Sequence, residues 1–412
     1  MAIRKKIHSF VTSKFTSHDD RKIGLEEETI IYDFNNNRIP VNPGRGFSAV
    51  ELVSTLNDLG SNNGHYSLEP GGQIEWSSLP LKNLNMLDKA IKKHHKNLKE
   101  ICREHKLKIV CFGLEPCFKP LQIELIKDKK YACMDEVLVE NGKMGRWMMR
   151  NTASIQINFD VTSKLDMEEM TFISDCLHPI ASYLFSNSPY KEGFGVGMKN
   201  YRNIIWENTD NSRCKNLFDH GISTPTNLLD KYIEFVLTVP HMFNLEKSSD
   251  YREKPVLIGE WLAELEESEN LVEKHIDFAL HQIFTNVRLK RVVEVRGSDR
   301  TPFGYEITPA AFWSGILINT DVKGEVLSTC KRWSKKDRIS FNLLANSLEV
   351  NSSGPEGKKF GEWIEWACKK AVKGLKSRNF GEEKLLQNFV NEVVNQGPFT
   401  LQIQKHAPTF SS

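Results

Sequence analysis

No run of about 20 consecutive apolar residues occurs in the sequence, which excludes a helical membrane-spanning protein. There is no CxxC pair, no HExxH and no Cys/His knuckle, so neither a zinc ribbon nor a zinc-protease motif is present. No Walker A sequence occurs either, and the loose glycine-rich stretch Gly193 to Gly197 reads as a mobile loop with no phosphate role. Excess charge of one sign is also missing. Lys plus Arg number 55 and Asp plus Glu 53, a net of +2, which removes the electrostatic footprint of a nucleic-acid binder. No internal repeat or low-complexity block divides the chain.

What remains is an ordinary globular composition over 412 residues, 40% apolar and 26% charged. A chain this long buries enough surface to fold without disulfides. Its eight cysteines are scattered, a pattern of reduced thiols that points to the cytoplasm. Residues 1–20 read as a basic and flexible arm, residues 21–400 as a single catalytic domain and residues 401–412 as a tail. The run KKHHKNLKE around His94 and His95 reads as a solvated helix face.

Strand signals fall at 22–34, 66–78, 108–113, 148–161 and 288–297, with a Pro-Gly-Gly turn at 70–72. Helical periodicity covers 48–60, 82–106, 165–186, 228–246, 258–284 and most of 307–395. The elements interleave without a repeated βαβ rhythm. They fit an α+β fold, a mostly antiparallel sheet backed by helices.

Side chains at i and i+2 share one face of a strand. Glu26 and Glu28 therefore point one way, with Leu25 and Glu27 opposite. Gln73, Glu75 and Ser77 oppose Ile74 and Trp76; Gln156, Asn158 and Asp160 oppose Ile155 and Ile157; Glu294 and Arg296 oppose Val293 and Val295. One such strand is simply a wet face. Four of them, with Glu69 beside the turn, are expected to converge on one pocket. Clustered carboxylates raise one another's pKa unless a cation neutralises them, and oxygen ligands suit Mg²⁺ or Mn²⁺. Arg150, Arg202, Arg213 and Arg296 stand in the right segments to meet phosphates. Trp206, Phe312 and Trp313 read as core.

The segments KIGLEEE (22–28), SLEPGGQIEWSS (67–78), RNTASIQINFD (150–160), LFSNSPYKEG (184–193), IIWENTDNSR (204–213), VRLKRVVEVRGSD (287–299) and PAAFWSGIL (309–317) resemble the plant-type glutamate–cysteine ligases, within the glutamine-synthetase-like carboxylate–amine ligases. The resemblance implies a curved, mostly antiparallel sheet forming a funnel-shaped active site, with helices packed outside. It implies an ATP- and Mg²⁺-dependent ligase that joins the γ-carboxylate of L-glutamate to the amine of L-cysteine through a γ-glutamyl phosphate. The same chemistry with another amine acceptor is the alternative. By resemblance Glu26, Glu28, Glu75 and Glu294 match acidic metal ligands, with Glu69 and Gln156 as further candidates. Arg296, with Glu75, is the catalytic candidate, matching an arginine near the transferred phosphoryl group. Arg150, Arg202, Arg213 and Asn158 are candidates for binding substrate or ATP. Two departures stand out: Glu27 occupies a position where plant members carry histidine, and residues 244–262 lack the plant regulatory cysteine, so no disulfide switch of that kind is expected.

Overall fold

A computed structural model describes residues 2–60, 64–242 and 256–410. Its strands are β1 (Ile23–Asp33), β2 (Gly64–Leu68), β3 (Ile74–Ser78), β4 (Leu107–Val110), β5 (Ser154–Phe159), β6 (Tyr190–Lys191), β7 (Phe194–Gly195), β8 (Val287–Leu289) and β9 (Val293–Asp299). Seven of them form one sheet in the order β2-β3-β1-β5-β9-β8, with β4 pairing the far end of β1; β6 and β7 form a separate hairpin. Every pairing in the sheet is antiparallel, and the sheet does not close on itself.

The helices of the N-terminal half are α1 (Ala2–Val11), α2 (Ala49–Asp58), α3 (Leu84–Glu104), α4 (Lys129–Asn141), α5 (Gly145–Asn151), α6 (Lys164–Leu184) and α7 (Tyr201–Glu207). Those that follow are α8 (Leu228–Thr238), α9 (Ile258–Glu267), α10 (Glu273–His281), α11 (Thr308–Leu317), α12 (Thr320–Arg332), α13 (Lys335–Leu344), α14 (Phe360–Ser377), α15 (Lys384–Gln396) and α16 (Phe399–His406). Antiparallel strands with helices outside them agree with the expected α+β class.

The two faces of the sheet differ as the alternation requires. Leu25, Ile74, Trp76, Ile155, Ile157, Phe159, Val293 and Val295 are buried in the main core, against which α3, α6 and α11 pack. Phe312 and Trp313 are fully buried in that core, as expected. On the opposite face a smaller cluster of Leu114, Met134, Leu138, Met148, Met149, Ile205 and Met242 forms a roof carried largely by α4, α5 and α7.

The structure departs from several expectations. Within the N-terminal arm, Ile7, Phe10 and Val11 recur on one side of α1 and are buried against α8, α9 and α10. Part of the tail is helical, since α16 spans Phe399–His406, and Tyr190 Oη donates to Ala407 O at 2.6 Å. The strand expected from Met148 begins only at Ser154, because residues 145–151 coil into α5 and Thr152 Oγ1 donates back to Met148 O. His94 and His95 are buried, turned towards Glu27 on the core face of β1 rather than to solvent. The Gly193 to Gly197 stretch runs from the turn of the β6–β7 hairpin through β7, tied by Gly193 N to Pro116 O and by Gly195 N to Pro408 O. The last part of the helix expected at 228–246 and most of the cysteine-free stretch 244–262 lie outside the described residues.

Helices α11 and α14 cross at glycines. A Cβ on Gly315 would lie 2.1 Å from Ala371 O, and one on Gly374 would lie 1.7 Å from Gly315 O. Gly315→Ala is therefore expected to force the helices apart and cost about 1–3 kcal/mol in urea unfolding. Gly324→Ala, on the open side of α12 with nothing within 4 Å, should be neutral or stabilising. An unchanged unfolding midpoint for Gly315→Ala would contradict this packing.

Candidate active site

β1 lies at the centre of the wet face. On one side Glu28 stands directly opposite Glu75 of β3, and on the other Glu26 stands opposite Gln156 of β5. Asn158 of β5 is opposite Glu294 of β9, which is opposite Arg288 of β8. Like charges placed directly opposite on neighbouring strands repel. Glu69 reaches the same space from the turn between β2 and β3. That turn needs its glycines: Gly72 has φ +76°, and a Cβ on Gly71 would lie 2.6 Å from the Arg150 backbone.

All of these side chains except Asn158 and Glu294 line one cavity of about 460 Å³. Its floor holds Glu26, Glu28, Glu69, Glu75, Gln156, Arg288, Lys290 and Arg296; its roof holds Met134, Met148, Met149, Met242, Trp206 and Phe278. Oxygens of Glu28, Glu69 and Glu75 lie within 4.8 Å of one another.

The floor splits into two electrostatic halves. Burial pushes the Glu26 carboxyl up to about 7, helped by the charges of Glu294 and Glu75. Burial, then Glu75 and Glu28, pushes Glu69 well above the carboxylate range. Glu75 is raised by burial and by Glu28, and Glu28 is raised by burial despite Arg202 nearby. Hydrogen bonds orient these acids: Ser67 Oγ donates to Glu75 at 2.8 Å, Gln156 Nε2 and the Ser154 N–H donate to Glu28 at 3.0 and 2.7 Å, and Asn158 Nδ2 donates to Glu26 at 2.9 Å.

Glu294 behaves in the opposite way. Its burial is overcome by Arg288, Lys290 and Arg296, which hold it well below the usual carboxylate range. Arg288 grips it through two nitrogens at 2.7 and 3.0 Å, and Lys290 Nζ lies 2.6 Å away. Arg296 bonds both Glu294 and Gln156.

The structure thus gathers Glu26, Glu28, Glu69, Glu75, Gln156 and Arg296 around one cavity; Glu294, expected as a metal ligand, is fully buried behind its wall as the partner of Arg288, Lys290 and Arg296, and Asn158 stands behind Glu26. Three candidate arginines fall outside its lining. Arg150 is spent on Asp135 at 2.8 Å and on the carbonyls of Pro120 and Ile123. Arg213 is wholly buried and bonds Asp210, Gln282 O and Pro240 O. Both are structural pins, because a buried guanidinium needs its donors satisfied locally. Arg202 differs: it is buried, its Nε has no partner, and Asp299 stands 3.8 Å away.

Three kinds of residue were missed. Arg288 and Lys290 follow the same i, i+2 spacing as Glu294 and Arg296, so their face was readable. Trp206, expected in the core, lines the cavity with the guanidiniums of Arg202 and Arg296 at 5.6 and 5.8 Å from its ring. The methionine roof had no local signal.

The profile of glutamate-cysteine ligase family 2 matches residues 22–378. The chain belongs to that family, and it is a ligase. Its relatives include the chloroplastic glutamate–cysteine ligases of Arabidopsis thaliana, 28% identical over 417 residues (96% of this chain and 77% of that protein), and of Solanum lycopersicum, 31% identical over 429 residues (96% and 77%). The fold is similar to a crystal structure of glutamate–cysteine ligase from Francisella tularensis, with TM-score 0.60, 12% identity, and coverage of 95% of this chain and 86% of that one. Family membership places the chain in glutathione biosynthesis, acting on small-molecule substrates, and no helix among the described residues is long and apolar enough to cross a membrane. The expected cytoplasmic location is withdrawn: relatives with similar sequences are named chloroplastic, and scattered thiols report redox state rather than compartment. All eight cysteines are free.

Glu26 binds its proton more tightly when folded, at about 7 against an ordinary 4.5. Folding therefore takes up a proton between those values, and stability falls as pH rises through them. In metal-free buffer, wild type should lose melting temperature relative to Glu26→Gln as pH goes from 5 to 7.5. Parallel melting curves for the two proteins would contradict the assignment.

Proposed function

We propose that this cavity binds ATP, divalent cations, L-glutamate and L-cysteine, and forms the γ-glutamyl bond through a γ-glutamyl phosphate. The observation that carries the reading is the trio Glu28, Glu69 and Glu75, three carboxylates converging in a space where they cannot all ionise without a cation. The donor set is all oxygen, which fits Mg²⁺ or Mn²⁺. Residues 21–400 form the catalytic unit, and the cavity over the sheet serves as the funnel that the family resemblance implies.

Glu28, Glu69 and Glu75 would hold one cation, with Gln156 beside them. Glu26 would face a second, beside ATP phosphates that Arg288 and Lys290 of the cavity lining would meet. Bound Mg²⁺ would neutralise phosphate charge and polarise the transferred group. The complex of the Francisella tularensis structure with AMP supports nucleotide use in this fold.

The protein's own work is positioning. A carboxylate is a poor electrophile, so glutamate must first take the γ-phosphoryl of ATP. Arg296, held by Glu294 and Gln156, is fixed where charge develops on that group. Arg202, with its spare donor, and Asn158 orient substrate. The amine then attacks the acyl carbon, phosphate leaves, and the amine proton passes to solvent or to a cavity base. Met134, Met148 and Met149 keep water from the acyl phosphate. No protein nucleophile is required.

The test is phosphate release from ATP with Mg²⁺, glutamate and a panel of amines headed by cysteine, with mass detection of product. Wild type should form γ-glutamylcysteine. Glu75→Gln should lose at least about 100-fold in turnover while melting as wild type does. Near-normal turnover in Glu75→Gln would refute the assignment.

A further inference from the structure

On the wall of the cavity a half-buried indole, Trp206, meets two guanidiniums. Arg202 and Trp206 stand four residues apart on α7 and so share one side of that helix. The Arg202 guanidinium carbon lies 5.6 Å from the centre of the Trp206 ring, and that of Arg296, carried by β9, lies 5.8 Å from it. A guanidinium within about 6 Å of an indole ring is attracted by the negative charge of its face.

Two like charges at one ring need something to hold them together. Burial pushes the Arg202 pKa down, and the charge of Arg296 adds to that push against Asp299 and Glu28. Arg296 is braced on its other side by Glu294 and Gln156. Arg202 has much less. It is 4% exposed, its Nε has no hydrogen-bond partner, and Asp299 is 3.8 Å away. A carboxylate would attract this guanidinium by taking up its N–H donors. A ring face attracts the charge and leaves those donors for a ligand.

Trp206 is placed by its ring. Its indole N–H makes no hydrogen bond, while Phe284, also on the cavity wall, meets the ring edge-on at 6.3 Å. The indoles of Trp261, Trp313 and Trp333 lack a partner as well, but those three are buried in the main core. Helix α7 is fixed from behind. Asn203 Nδ2 donates to Asn346 Oδ1 at 2.8 Å, Asn203 Oδ1 meets His178 Nε2 at 2.9 Å, and Asn200 Nδ2 donates to Ser182 O at 2.9 Å. The side of α7 that carries Arg202 and Trp206 therefore cannot roll away from β9.

We infer that Trp206 is a positioning residue for the ligation: its ring gathers Arg202 and Arg296 into one seat for an anionic oxygen group of the substrates, a carboxylate or a phosphoryl group. The inference rests on the ligase reading and deepens it. Glu28 also attracts both arginines. Once a cation takes up that carboxylate, the ring face is the attraction the pair still has in common.

The test replaces Trp206 alone, in full-length protein, by site-specific incorporation of mono-, di- and trifluorotryptophan. These keep the shape of the indole and drain charge from its face step by step. Trp206→Phe and Trp206→Leu complete the series. Calorimetric titrations with L-glutamate and with a non-hydrolysable ATP analogue plus Mg²⁺ separate the carboxylate from the phosphoryl source, and steady-state ligation gives kcat/KM. At unchanged melting temperature, affinity for at least one of the two ligands should fall with each fluorine, and kcat/KM with it. Trp206→Leu should lose about 10-fold or more, and Trp206→Phe clearly less, because a weaker ring face remains. A fluorine series flat in binding and in kcat/KM, or Trp206→Leu equal to Trp206→Phe, would overturn this inference and leave the ligase reading standing. Wild type that binds neither ligand would overturn both.

Discussion

Carboxylates that repel one another are held together by the sheet, and everything else in the cavity answers to that repulsion. β1 puts Glu26 and Glu28 on one face, β3 sets Glu75 directly opposite Glu28, and the β2–β3 turn adds Glu69. Backbone pairing fixes these positions, so the acids cannot swing apart without breaking ladder hydrogen bonds. The cost appears as raised proton affinity at four glutamates. A divalent cation would convert that cost into binding energy, which is why the cluster reads as a site rather than as a surface.

The other half of the cavity is arranged with opposite polarity. Three cations hold Glu294 ionised, and Arg296 is thereby braced on both Glu294 and Gln156. One side of the floor is short of positive charge while the other is rich in it. A nucleotide with bound cations carries the complementary pattern. The methionine and aromatic roof lowers the local dielectric, which strengthens every charge interaction beneath it.

The acidic face of the sheet was legible because strand geometry is local: residues two apart share a side whatever the rest of the chain does. Helices were legible where their apolar stripe is long, as in α3. Partnership was not. His94 and His95 sit in a lysine-rich run that looks solvated, and partners distant in sequence, Glu27 and Glu306 with Tyr66 and Trp76, draw them inside. Arg150 and Arg213 looked like anion binders, although Asp210, three residues before Arg213, was a readable sign of a local ion pair. The helix α1 was not legible because its basic residues masked the Ile7, Phe10 and Val11 stripe. Trp206 could not be assigned between core and wall without knowing which elements flank the cavity.

Anomalous diffraction from crystals grown with Mn²⁺ and a non-hydrolysable ATP analogue tests the central claim most directly. The account predicts manganese peaks within about 2.0–2.2 Å of carboxylate oxygens of Glu28, Glu69 and Glu75, with the analogue's phosphates reaching Arg296. Nucleotide bound in the cavity with no manganese on those three glutamates would contradict it.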